Sequence, residues 1–148
     1  MKITLRPSTE ADLEWLDPFY ESLMRPYVEL THEWTEFSHG ETCSQGHIQI
    51  IQCGDKNIGM LKIIEREDCL YVGDIQLKAE HQGKGIGTKL MQQVIDQANA
   101  LKTPIKLRVL KGNPAINLYE RLGFKKDEPA NKELDHCYQK VREFTPSP

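Results

Sequence analysis

The chain has 148 residues, 39% of them hydrophobic and 28% charged, with a formal net charge of −3 at pH 7. That length suits one domain with a sizeable buried core, and no apolar run is long and charge-free enough to span a membrane. The acidic total and the lack of any dense basic run argue against a nucleic-acid partner.

Residues 2 to 6 read as a strand that Pro7 stops. Ser8 and Thr9 can cap the helix that follows, with Asp12 completing a capping box. Leu13, Leu16, Phe19, Tyr20 and Leu23 recur at helical spacing through about Met24, and Arg25-Pro26 should break the helix. Val28 to Phe37 can form a second short helix with Glu29, Glu33 and Glu36 on one face. Alternation around Ile48 and Ile50, a turn at Gly54-Asp55-Lys56-Asn57, a run from Ile58 to Ile64 and another from Leu70 to Ala79 predict three consecutive strands. Gly85 to Leu101 reads as a helix with Ile86, Leu90, Val94, Ile95 and Ala98 inward. Ile105 to Leu110 is a strand, and Pro114 to Leu122 a helix stopped by Gly123. Two strands within 124 to 142, turning near Pro129-Ala130-Asn131, should end the fold. The expected organisation is one domain over 1–144 and a disordered tail at 145–148.

Cys43, Cys53, Cys69 and Cys137 form no Cys-x-x-Cys pair, and the five histidines show no His-x-x-x-His spacing, so no metal site is expected. The N-terminus lacks a basic-then-apolar leader, which makes a cytoplasmic protein the expectation. Charge is uneven: residues 1 to 70 hold 6 Lys and Arg against 13 Asp and Glu, whereas residues 71 to 148 hold 13 against 9. A basic second half suits a polyanionic ligand and an acidic first half a cationic one, although surface charge varies along any chain.

The most informative stretch is His81-Gln82-Gly83-Lys84-Gly85-Ile86-Gly87-Thr88-Lys89-Leu90, which joins a predicted strand to a predicted helix. Glycines let backbone N–H groups approach a ligand closely, and a helix N-terminus favours an anion. Lys84 and Lys89 would add counter-charge. No Gly-Lys-Ser/Thr triplet is present, which removes a Walker-type loop. A dinucleotide fingerprint would need an acidic residue at the end of the next strand, and that strand ends in Leu110-Lys111.

The spacing Gln82-x-x-Gly85-x-Gly87 resembles the pyrophosphate loop of the GNAT superfamily, the acetyl-CoA-dependent N-acetyltransferases. At the distance such a family requires, Asn113-Pro-Ala115-Ile-Asn-Leu118-Tyr119-Glu-Arg-Leu-Gly123-Phe124 looks like its next helix. The resemblance implies an α+β fold, a mixed twisted sheet of six or seven strands with helices on both faces. It implies acetyl-CoA as acetyl donor, bound in a cleft between the strands at 70–79 and 105–110. Cofactor contacts would then come from Ile75 and Leu77 by backbone, from Gln82, Gly83, Lys84, Gly85, Ile86, Gly87 and Thr88 in the loop, and from Asn113 and Ala115.

Tyr119 would be the general acid for the departing thiolate, although a Tyr in an amphipathic helix also serves as a core aromatic. Asn113 can cap its helix, contact the coenzyme, or do both. Many family members carry a Glu on the strand before the loop, and none stands there here. Asp74 is the nearest acid and the leading base candidate, expected on the face of Val72, Gln76 and Lys78 unless a bulge shifts the register. Glu33 and Glu36 are rivals for that role, although a solvated helix face is the more ordinary account of them. Tyr27, Glu33, Trp34 and Glu36 are the candidate acceptor-site residues, with an aromatic and acidic lining suited to a small cationic amine. The expected reaction is direct attack of a primary amine in a ternary complex. A coenzyme-binding regulatory module without turnover, and transfer of another acyl group, are the alternatives. A homodimer is compatible with the chain.

Overall fold

Alternating side chains along two neighbouring strands send Ile50 and Met60 to one face of a sheet and Ile51 and Leu61 to the other, and both sets are buried. The computed structural model describes residues 2–30, 33–36, 38–110, 113–127 and 135–140. Its strands are β1 (Ile3–Pro7), β2 (Ile48–Cys53), β3 (Lys56–Glu65), β4 (Leu70–Leu77), β5 (Ile105–Leu110), β6 (Lys125–Asp127) and β7 (Asp135–Lys140). They form one sheet in the order β1-β2-β3-β4-β5-β7-β6. Among the described strands only β4 and β5 are parallel neighbours. A parallel pair requires a crossover, and helix α3 (Ile86–Leu101) supplies it.

Leu90, Met91, Val94, Ile95 and Ala98 of α3 pack on one face together with Tyr119 of helix α4 (Ala115–Arg121). Helix α1 (Leu13–Val28) covers the other face through Leu16, Trp15, Phe19 and Tyr20, beside the short helix α2 (Gly40–Ser44). Helices therefore lie on both faces of a seven-stranded mixed sheet, the expected α+β arrangement. Among the described residues no helix is long and apolar enough to cross a membrane.

Several local expectations are corrected. Pro7 is part of β1, because β1 is an edge strand and its outward side needs no N–H donor. The capping box forms, with the Thr9 N–H donating to Asp12 Oδ2 at 2.7 Å, but it opens a 3₁₀ turn at Glu10–Asp12 that leads into α1. Neither Pro18 nor Pro26 ends that helix, which continues to Val28. Burial of Leu16 and Met24 against the sheet offsets the hydrogen bonds the prolines lack.

The helix expected over 28–37 is corrected at its described residues: Val28 is the last residue of α1, and 29, 30 and 33–36 are not helical. Residues 33–36 are irregular, and tertiary hydrogen bonds hold the segment against α1: Trp34 Nε1 donates to Glu21 at 3.0 Å, and Ser38 Oγ donates to Asp17 at 2.8 Å. The helix at 40–44 had no sequence signal. The turn expected at 129–131 and the tail at 145–148 lie outside the described residues.

Candidate active site

The site begins where two parallel strands part. β4 and β5 pair at Leu70↔Ile105, Tyr71↔Lys106 and Val72↔Leu107 and then separate, β4 running on to Leu77 and β5 to Leu110. A bulge accompanies the separation. On β3, Ile63 faces Val72 and Lys62 faces Asp74, which leaves Gly73 without a partner. A Cβ at Gly73 would come within 2.9 Å of the Lys62 side chain, so glycine lets the bulge sit against it. Farther along, a side chain at Gly59 would collide with the Gln76 carbonyl, and this second glycine allows β3 to stay under the curling end of β4.

The bulge changes which residues share a face. Ile75 and Leu77 pack with Leu70 and Val72 toward α3. Asp74 and Gln76 turn toward α1, where Gln76 Nε2 lies 3.1 Å from Met24 Sδ and Tyr20 hydrogen-bonds Asp74. The strict alternation that grouped Asp74 with Val72 is thus corrected by one inserted residue.

Two connected clefts occupy the opening. The first, about 410 Å³, is lined by Tyr27, Ile75, Leu77, Gln82, Gly83, Gly85, Ile86, Gly87, Thr88, Asn113 and Ala115 among others. Gly83 and Gly85 have φ of +72° and +81°, a region costly for side-chain-bearing residues. With Gly85 as its N-cap, α3 starts at the cleft, where the first N–H groups of a helix lack internal acceptors. Gln82 Nε2 donates to the Leu77 carbonyl at 2.9 Å and ties the loop to the end of β4. Lys84 is exposed and off the wall. Asn113 Oδ1 accepts the Ala115 N–H at 2.9 Å, so the capping role is real, and Asn113 also lines both clefts.

The second cleft, about 280 Å³, shares Ile75, Gln76, Asn113 and Ala115 with the first and adds Tyr20, Met24, Tyr71, Asp74, Arg108 and Tyr119. Burial raises the Asp74 carboxyl to about 6, and Lys62, Gln76 and Tyr20 only partly oppose that. Tyr119 is buried, stacks edge-on with Phe124 at 5.8 Å between centroids, and is held protonated by burial and by the charge of Asp74. It is therefore both a core aromatic and part of the cleft wall. Tyr20 is held protonated for the same two reasons.

Tyr27 lines the first cleft, but Glu33, Trp34 and Glu36 are on neither wall. Glu33 is exposed, and Glu36 borders an outer groove with Asp17 and Glu21. Sequence reasoning missed Tyr20, Gln76, Arg108 and Arg121. Of these, Gln76 had a usable signal in its place two residues from Asp74 on one strand face, and Arg121 in its spacing of three from Leu118 and six from Ala115 on one helix face. Among the described residues, no group of three His, Cys, Asp or Glu side chains is placed to hold a metal ion.

A profile of the acetyltransferase (GNAT) family matches residues 10–124. No curated protein sequence matches the chain. Among solved structures, the PaiA N-acetyltransferase from Thermoplasma acidophilum in complex with coenzyme A superposes with a TM-score of 0.77 at 17% identity, covering 96% of this chain and 100% of that one. A GNAT-family acetyltransferase from Listeria monocytogenes gives 0.71 at 15% identity over 93% and 94% of the two chains. The acetyltransferase yncA from Salmonella typhimurium, described as putative and holding its cofactor acetyl-CoA, gives 0.69 at 17% identity over 100% and 98%.

Proposed function

The chain belongs to the acetyltransferase (GNAT) family, and on that premise we propose that it moves the acetyl group of acetyl-CoA to a primary amine by direct attack in a ternary complex. One observation carries the reading: the strands part at Val72↔Leu107, and the positive-φ glycine loop and the α3 N-terminus stand at the edge of the same opening. Solved relatives hold coenzyme A or acetyl-CoA.

In this assignment the pyrophosphate lies on the N–H groups of Gly83 to Thr88, where dipole and unpaired donors favour an anion. Gln82 keeps the loop at the end of β4. Ile75 and Leu77 offer backbone groups to the pantetheine arm, and Asn113 and Ala115 close the far wall. The acyl end then reaches the second cleft, between Asp74 and Tyr119.

The amine nitrogen attacks the thioester carbonyl carbon, the C–S bond breaks, and the sulfur leaves as a thiolate. Asp74, ionised above about pH 6, takes the proton the amine must lose. Tyr119, which stays protonated, gives a proton to the thiolate. No described cysteine lines either cleft, so nothing there favours an acetyl-cysteine intermediate. Three described cysteines are free and buried, which fits the reducing cytoplasm proposed as its location.

The test is release of free thiol from acetyl-CoA across a panel of amines. Amine-dependent release supports the transferase. Coenzyme binding without release for any amine would favour a regulatory binding module instead.

A further inference from the structure

The second cleft carries two opposite charges on one face of the sheet. Leu107 and Val109 are buried in the α3-side core, so the intervening Arg108 turns to the α1 side, where it is exposed and lines the cleft. Asp74 points to the same side, beside Tyr20 of α1. The two also stand at the same level. Val72↔Leu107 is the last rung joining β4 to β5, Arg108 is the next residue on β5, and Asp74 is the first on β4 after the bulge. An acid and a guanidinium thus flank the start of the opening, one on each strand.

Apart from the amides of Gln76 and Asn113, the rest of the wall is apolar or aromatic, with Met24, Val28, Tyr71 and Val109 among it. Glu33 and Glu36, expected to line an acidic site for a small cationic amine, are absent from it. On the reading that this cleft receives the amine, we propose that Arg108 determines acceptor class. It binds a carboxylate on the acceptor while the amino group lies beside Asp74, so the acceptors are amino acids and related amino-carboxylates.

Chemistry favours the assignment. Arg108 has an interaction within the protein; a guanidinium stays charged at every working pH, and its planar fork of five donors matches a carboxylate and exceeds the two that one carboxylate takes. Charge on both walls orients a zwitterion, where a single acid would hold any amine. The small separation of amine and carboxylate in an amino acid suits two groups that flank the first step of the splay.

The experiment compares each protein-forming L-amino acid with the amine left when its carboxylate is removed, by thiol release from acetyl-CoA. The parent should favour the amino acid, by roughly ten- to a hundredfold in kcat/KM for the best pair, the worth of a charge-assisted contact. R108A should bring that ratio close to one, mainly through the KM of the amino acid, and R108K should restore part of it. Thermal unfolding of each variant checks the fold.

Equal or better turnover of the decarboxylated amine, or a preference that survives in R108A, overturns the proposal and leaves acetyl transfer standing. If no amine releases thiol, calorimetric titration of the coenzyme A-saturated protein with the same pairs decides. Carboxylate-dependent binding lost in R108A supports the Arg108 site while the transferase reading fails. Equal binding by both members, or none by either, overturns it.

Discussion

The carboxyl of Asp74 and the phenol of Tyr119 line one cleft from different walls, β4 and α4, and the charge on Asp74 raises the cost of ionising Tyr119. The acid is poised to lose its proton near neutrality, while the phenol keeps its own. Such a separation of two titrating groups divides the work of base and acid.

If Asp74 is the base, kcat/KM with a given amine should rise with pH through about 6 and level off above it, and Asp74→Asn should remove that limb with most of the activity. The same group has a stability signature. Its native carboxyl titrates above the ordinary 3.8, so between about 6 and 3.8 the native state binds the extra proton and the contribution of Asp74 to stability falls as pH rises. Asp74→Asn should therefore be more stable than the parent at pH 7, with the difference shrinking toward pH 4. Denaturant unfolding at both pH values checks this, and a difference independent of pH would remove the buried-carboxyl explanation.

Tyr119→Phe should keep the fold, because the ring stays against Phe124, and should lower turnover by roughly ten- to a thousandfold. The measurement is steady-state kinetics with a verified amine. A stability loss of about 1 kcal/mol with unaltered turnover would leave Tyr119 as a core residue only.

Gly87→Asp should abolish coenzyme A binding in a folded protein. A Cβ there meets Leu118 at an ordinary 3.5 Å, so the substitution mainly sets a negative charge at the N-terminus of α3, where the pyrophosphate is proposed to sit. Gly85→Asp should do the same with an added backbone cost, since φ is +81°. Calorimetry with coenzyme A reads both. Retained affinity in either folded variant would move the cofactor off this loop.

Far from the cleft, Asp12 is buried and bonded to Arg6 at 2.7 Å, to the Thr9 N–H and to Trp15 Nε1 at 3.1 Å. Those partners hold its carboxyl well below the usual range. Its contribution is complete above the unfolded value of 3.8 and is lost as pH falls through the depressed native one. Asp12→Ala should cost about 2–3 kcal/mol at neutral pH, read by denaturant unfolding, with cofactor affinity retained. A cost near zero would mean that solvent replaces the Arg6 pairing.

What the sequence determined by itself is what local spacing encodes. The glycine loop opening a helix, the capping pair Thr9 and Asp12, the α3 face and the Asn113 cap all depend on residues a few positions apart, where backbone geometry acts directly. Family membership was legible for the same reason, since its two motifs are contiguous. The tertiary structure decided the rest. The bulge at Gly73 turns Asp74 toward α1 only because β3 pairs on either side of it. Hydrogen bonds to Asp17 and Glu21 on α1 hold the segment leading to α2, and Glu33 and Glu36 do not reach the cleft. Arg108 becomes a cleft residue because β4 and β5 separate one position before it. Each outcome depends on a partner distant in sequence, whose register and packing no local pattern carries.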